Sequence, residues 1–457
     1  MARVLLVNPP FYRLLGSHYN GCPLGISYIA AVLNEAGHDA WLYNADFVAS
    51  DRYGNFSSLM KEFSSYIQYF RNSNSIIWNT TAEDILAFDP DWVGYTCYTA
   101  NIRAIDIISQ KVKVGKPSVQ QVVGGVHPTL DLSILKQLSS IDYAVVGDGE
   151  YAMLRLVDGE VPSTVLYSPI AVSDIDALPL PERDKLWHTL DRQKNIADVS
   201  HVISGRGCPY ECTYCASSTL CKRHVRYRDP SLVIDELQYV KDNYWDECDC
   251  LNDVSKLLPE NGLCIRDNSV VYFVDDVFTL PKRRAISMLT QMVDRKLCMP
   301  WKCEARADHL DSDICALMVE AGCIRVKVGF ESGSERILTQ VKKGETKDDM
   351  RRGAALLKEF GIPFTAYFMT GFPGETDADL RETIAFAKEL EADFYSLSVL
   401  APYYGTPMYY ELIAQGTDLG KLPWEYFYHQ VGDPIVNSNL SKEVIDEFLA
   451  LSEKGYI

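Results

Sequence analysis

GRGCPYECTYCAS, residues Gly205–Ser217, places cysteines at 208, 212 and 215, a Cys-x3-Cys-x2-Cys spacing. Three thiolates on one loop can hold three irons of a cubane iron–sulfur cluster. Zinc sites usually take two ligand pairs from separate hairpins, which this spacing does not supply. Gly205 and Gly207 let the backbone bend closely and Pro209 stiffens the turn. Cys221, six residues beyond the motif, reads as a bystander.

The stretch before the loop, HVISG, is the first of six strand candidates. VVYFVDD, WKCEA, IRVKVGFE, PFTAYFMTG and FYSLSVL follow, with helices centred near residues 237, 288, 317, 354 and 384. Strands alternating with helices over residues 198–415 predict a partial parallel (β/α)6 barrel, with chemistry at the strand carboxyl ends. Upstream, the pattern dissolves between about Val161 and Asp184, with four prolines from Pro162 to Pro181 and no apolar period, so residues 151–197 read as a linker. Residues 1–150 hold a second alternation: ARVLLVN, HDAWLYNAD, DWVGYTCY, SVQQVVGG and DYAVVG. Helical stretches lie at 23–35 and from near Asn101 and Asp131, and a polar insertion spans about 51–81. This α/β pattern predicts an N-terminal Rossmann-like doubly wound sheet, its ligand beyond the strand carboxyl ends. Residues 416–457 add a short stub with one helix from Ser441.

The 457 residues carry a net charge of −18, which weighs against a nucleic-acid partner. No apolar run reaches transmembrane length and no cleavage site follows the first strand, so a cytoplasmic protein without membrane insertion is expected. Thirteen cysteines without a secretory signal argue for free thiols and metal ligands rather than disulfides.

With Tyr214 just before its last cysteine, the motif resembles the signature of radical S-adenosylmethionine (SAM) enzymes. The resemblance covers residues 198–415. It implies a 4Fe–4S cluster on Cys208, Cys212 and Cys215, whose fourth iron is chelated by SAM, and reductive cleavage of SAM to a 5′-deoxyadenosyl radical. It places Asp275 and Asp276 near the SAM amino group and Arg306 near its carboxylate. Glu331 and Ser332 fall at the ribose or aminoacyl end, and Gly371 and Phe372 beneath the adenine; Tyr214 is implied as a further SAM contact. Plainer readings stand next to these: helix caps for the aspartates, a surface ion pair for Arg306, and a strand-to-helix turn for GFPGET.

The first domain resembles that of the cobalamin-dependent branch of these enzymes. NPP, PLG, GGVHPT and GDGE follow its strands in order. The resemblance implies cobalamin contacts at Asn8, Pro9, Leu24, Gly25, Thr96, Gly124, Gly125, His127, Pro128, Thr129, Gly147, Gly149 and Glu150. No Asp-x-His-x-x-Gly motif occurs, so no histidine is expected beneath the cobalt, and His127 is a contact to the cobalamin tail or a helix cap.

The resemblance implies methyl transfer from methylcobalamin to an unactivated carbon, or phosphorus, of a small-molecule or peptide substrate. An electron donor such as flavodoxin or ferredoxin is implied too. A cyclase or ring-rearranging enzyme with the same cofactors is the second reading; a non-catalytic iron–sulfur or cobalamin sensor comes from another class. Tyr403 and Tyr404 are candidate substrate contacts. Closure of the site is expected from the aromatic stretch GKLPWEYFYHQVGDP, from the Tyr53–Trp78 insertion, or from a partner. Cys248, Cys250 and Cys264 read as a solvated acidic insertion rather than a second metal site.

Overall fold

Val4, Leu5, Leu6 and Val7 are at most 1% exposed, so the first strand is covered on both faces, as a buried parallel sheet requires. That strand belongs to a computed structural model that describes residues 1–17, 21–48, 56–160, 165–167, 172–187, 200–244, 270–429, 435–436 and 439–453. Strands β1 (Arg3–Asn8), β2 (Asp39–Asn44), β3 (Trp92–Thr96), β4 (Gln120–Gly124), β5 (Tyr143–Val146) and β6 (Val165–Tyr167) form a parallel sheet in the order β2-β1-β3-β4-β5-β6. The winding reverses between β1 and β3, a switch point that opens a crevice at the strand carboxyl ends.

Three sequence expectations need correction. The polar insertion is largely helical, over Phe56–Arg71 and Ile76–Phe88; the second helix buries Trp78, Ile85 and Phe88 despite its modest amphipathic pattern. The segment from Asp131 forms only a 3-10 turn, Leu132–Lys136, after a short helix, Val126–Leu130. The proline-rich stretch supplies β6 and then runs beside β2, where Leu42 N–H donates to Lys185 O at 2.8 Å and Trp187 N–H to Leu42 O at 2.7 Å. Edge strands this short bury too little apolar sequence to show a period.

The second sheet is singly wound and parallel: β7 (His201–Val202), β10 (Val271–Phe273), β11 (Trp301–Ala305), β12 (Cys323–Glu331), β13 (Phe364–Thr370) and β14 (Phe394–Val399), each beside its predecessor. Helices Pro230–Tyr244, Lys282–Asp294, Ser312–Glu320, Lys347–Glu359 and Asp377–Leu390 cover its outside at the expected centres. The fold is therefore a Rossmann-like sheet followed by a partial six-stranded barrel. Between β7 and β10 a two-stranded antiparallel ribbon, β8 (Gly205–Arg206) with β9 (Arg226–Tyr227), frames the cysteine loop. Cys248, Cys250 and Cys264 lie outside the described residues, as do positions 51–55 of the insertion.

Charges fasten the two halves. Arg226 pairs with Asp148, which follows β5. Behind it, fully buried Glu236 takes Arg183 at 2.6 Å and Arg228 on its other oxygen, while Arg228 also reaches Tyr28 OH at 3.4 Å. A carboxylate between two guanidiniums satisfies the condition under which buried charge is tolerated.

Candidate cofactor site between the sheets

The cysteine loop leaves β8 through Gly207, whose φ of +104° only glycine adopts readily. A Cβ there would also meet Cys221 Cβ at 2.8 Å. Cys212 is buried, and Cys208 and Cys215 are partly exposed. Burial pushes all three thiols up, Cys208 to about 11, with Asp276 and its two sister thiols adding to the shift. Thiolates form when a metal replaces the proton, and three thiolates within eight positions are the donor set that an iron–sulfur cubane takes. Among the described residues no three His, Cys, Asp or Glu side chains converge on one ion-sized point. Ligands that each hold a different iron need not converge so closely.

A chain of buried charges runs behind Cys212. Arg306 follows β11 and grips Asp308 through Nε at 3.0 Å and Nη2 at 2.9 Å. Its guanidinium lies 3.7 Å over the Tyr210 ring and 3.5 Å from Glu345. Lys343 stands between Glu345 at 3.3 Å and Glu331 at 3.2 Å. Burial alone would lower Lys343, but the two carboxylates outweigh it and hold it above its usual value. Glu331 ends β12 with φ +66°, a left-handed turn that a glutamate enters at a cost. Tyr214 packs beside Glu331; burial first and that carboxylate second push its phenol up. Its ring centroid is 6.0 Å from that of Phe372.

Thus Tyr214, Arg306, Glu331 and Phe372 gather around Cys212. The other expected SAM residues carry structural ties. Asp275 accepts Ser204 N–H at 2.7 Å and Ser204 O–H at 2.5 Å, and pairs with Arg284 at 3.3 Å. Exposed Asp276 accepts Ser217 O–H at 2.6 Å on the cysteine-loop side. Ser332 Oγ lies 3.0 Å from Thr383 Oγ1. Gly371, at φ +89°, donates its N–H to Glu375 at 2.7 Å, and Phe372 N–H and Thr370 O–H reach the same oxygen. Burial pushes Glu375 up to about 7 against these bonds.

Across the interface, the switch-point crevice is a cavity of about 230 Å³. Leu24, Gly25, Thr96, Gly124, Gly125, Gly147, Gly149 and Glu150 line it among the expected cobalamin contacts. Ile203 and Arg206, from the barrel, close the far wall. A Cβ on Gly25 would meet nothing within 4 Å, so that wall is open for a ligand. Glu150 pairs one oxygen with Arg206 at 2.7 Å; its other oxygen is buried without a hydrogen-bond partner. Open glycine edges and an orphaned acceptor suit a large planar ligand with amide and hydroxyl donors, so the residues fit a cobalamin.

Asn8, Pro9, His127, Pro128 and Thr129 are outside the cavity lining. Asn8 donates to Asn44 at 2.9 Å, and Pro9 and Pro128 are buried. Thr129 links Gly125 O at 2.7 Å to Gly147 N–H at 3.0 Å and so fixes two cavity loops to each other. His127 is buried, with Nδ1 2.9 Å from Thr99 Oγ1 and its ring edge-on to Tyr404 at 5.0 Å. Burial lowers it to about 4, so the imidazole is neutral.

Tyr403 OH lies 3.0 Å from His429 Nδ1, and burial lowers His429 to about 4 as well. The expected closing segments meet one another. Phe11 after β1 packs on Tyr428 at 4.8 Å and on Tyr66 at 5.8 Å, and Phe63 packs on Tyr426 at 5.3 Å. Sequence reading missed Arg206, Lys343, Glu345 and His429. Arg206, flanked by glycines two positions before the first cysteine, was the one with a local signal.

Comparison with known proteins agrees with this geometry. A model described as the radical SAM superfamily matches residues 202–387, and one described as a B12 binding domain matches residues 16–157. The chain therefore carries a radical SAM domain preceded by a B12-binding domain. The cofactors of these two domains are a 4Fe–4S cluster, SAM and cobalamin. Over 479 residues it is 27% identical to an uncharacterized methyltransferase of Pyrococcus horikoshii, covering 100% of this chain and 92% of that one. It is 26% identical to the anaerobic magnesium-protoporphyrin IX monomethyl ester cyclase of Rubrivivax gelatinosus, over 74% of this chain and 61% of that one. The fold matches that of the radical S-adenosylmethionine methyltransferase TsrM from Kitasatospora setae, solved with cobalamin and a 4Fe–4S cluster, at a TM-score of 0.65 and 17% identity, covering 99% of this chain and 91% of that one. Among the described residues no helix is long and apolar enough to cross a membrane.

Proposed function

We propose that this chain transfers a methyl group from methylcobalamin to an unactivated carbon, or phosphorus, of a small-molecule or peptide substrate. The observation that carries this reading is the shared wall: Arg206, two residues before Cys208, also lines the switch-point cavity and pairs with Glu150. On this reading the two ligand sites lie on either side of one arginine. When bound, the cluster, SAM and cobalamin supply a 5′-deoxyadenosyl radical and a transferable methyl group. The chain's own contribution is positioning and exclusion of water. Cys208, Cys212 and Cys215 hold the cluster; Lys343 fixes the Glu331 carboxylate; Tyr403 OH and neutral His429 Nδ1 share a hydrogen bond at 3.0 Å. Phe11, Phe63, Tyr66, Tyr426 and Tyr428 tie the insertion to the C-terminal segment through one aromatic cluster. A one-electron reductant such as flavodoxin or ferredoxin completes the partners.

The cyclase relatives support a second reading, ring formation without net methylation. Anaerobic turnover of reconstituted, reduced protein with SAM separates the two. S-adenosylhomocysteine that appears only with added hydroxocobalamin, alongside 5′-deoxyadenosine, is the expected result. Only 5′-deoxyadenosine would favour the cyclase, and neither product would overturn both readings.

A further inference from the structure

Residues 221–228 read CKRHVRYR, with five basic side chains and no acid, in a chain whose net charge is −18. Two of the five are used internally, since Arg226 pairs with Asp148 and Arg228 with Glu236. Lys222, Arg223 and His224 are exposed, on the turn between the short helix Ala216–Leu220 and β9. The turn is held by Arg223 N–H donating to Ser218 O at 3.0 Å and His224 N–H to Cys221 O at 2.9 Å. Lys222 and Arg223 have φ of +50° and +60°. Two successive non-glycine residues in the left-handed region carry a steric cost, and such strain concentrates at functional sites.

The turn sits directly on the cluster loop. Cys221 Sγ accepts Cys208 N–H at 3.4 Å and lies 3.4 Å from Cys208 O. Arg223 pairs with Glu211, inside the cysteine motif. On the adjoining loop Asp276 is engaged by Ser217. Among the described residues Lys222 and His224 pair with no acid, so their charge and polarity face solvent.

We propose that the Lys222–His224 turn is the docking surface for a small acidic electron carrier of the flavodoxin or ferredoxin kind, with Cys221 and the Cys208 peptide as the shortest route inward. This rests on the radical chemistry proposed above, which requires an external electron. The donor loses one electron, the cluster gains one, and no bond is made or broken. A small basic patch on an acidic protein orients an acidic partner and raises its encounter rate without tight binding, as transient electron-transfer complexes require.

The test uses the full reconstituted chain and its double variant Lys222→Glu/His224→Glu, which leaves the Arg223–Glu211 pair intact. 5′-Deoxyadenosine formation is followed with flavodoxin hydroquinone and, separately, with photoreduced deazariboflavin, an uncharged small donor. At low salt the flavodoxin-driven rate is expected to fall by about tenfold or more in the variant, and the wild-type rate to fall as salt rises. The deazaflavin-driven rate and the iron content are expected to stay the same. Equal flavodoxin rates in both proteins, or no salt dependence, would overturn the docking surface. Wild-type protein driven by deazaflavin but not by flavodoxin would do so too. Failure of wild-type protein with both donors would instead overturn the radical reading.

Discussion

Asp275→Ala separates a structural carboxylate from a ligand contact. The side chain accepts two hydrogen bonds from Ser204 and pairs with Arg284 at 3.3 Å; Asp275 and Arg284 are 3% and 8% exposed. Removing the carboxylate strands a buried guanidinium, a class of change that costs about 3–5 kcal/mol. At about 2–4 °C per kcal/mol for a domain of this size, the barrel's Tm should drop by roughly 6–20 °C. Asp275→Asn still accepts from Ser204 but cannot neutralise Arg284, so it should fall between. Asp275→Leu/Arg284→Met removes both charges and should recover most of the loss, because the penalty comes from the orphaned partner rather than from the missing pair. Circular dichroism of the anaerobic chain reads the unfolding, and equilibrium dialysis reads SAM binding in the folded protein. An unchanged Tm with SAM binding weakened tenfold or more would refute this reasoning and return Asp275 to the ligand.

Other outcomes follow from the same geometry. His127 is held neutral with a folded pKa of about 4 against an ordinary 6.5, so its contribution is complete above 6.5 and is lost as pH falls towards 4. In full that loss amounts to about 3 kcal/mol, and denaturant midpoints at pH 7 and pH 5 would show a drop that His127→Gln reduces without abolishing, because His429 is held neutral in the same way. Gly25→Leu projects into open space, where a Cβ meets nothing within 4 Å. It should abolish hydroxocobalamin retention while leaving Tm within about 1 °C, whereas Gly125→Ala puts a side chain at φ +102° and should destabilise the domain. Arg206→Ala leaves Glu150 buried and unpaired; cobalamin absorbance after gel filtration should fall while iron content holds. Alanine at Cys208, Cys212 or Cys215 should empty the cluster, and alanine at exposed Cys298 should not.

Much of this architecture was legible because the two domains announce themselves through period and punctuation. Strand β1 is a continuous apolar run, and the barrel helices repeat at the spacing of a wound sheet. The cysteine motif pointed to one candidate ligand site, and glycines at strand ends pointed to the other. What escaped was assembled from distant parts. β6 is three residues long, and the helix Phe56–Arg71 gains its place by packing Phe63 on Tyr426 and Tyr66 on Phe11, which itself packs on Tyr428. Lys343 and Glu345 look like ordinary surface charges in KKGET until β12 brings Glu331 beside them. Asp275, Ser332 and Gly371 stand at strand ends and also hydrogen-bond within the protein, to Ser204, Thr383 and Glu375. Strand-end position alone does not distinguish a ligand contact from a brace.

The metal content of anaerobically reconstituted protein incubated with hydroxocobalamin and passed through gel filtration tests the central claim most directly. Two facing sites predict about four irons and about one cobalt per chain. Iron at that level without retained cobalt would contradict the account, because the switch-point cavity would then not be a cobalamin site.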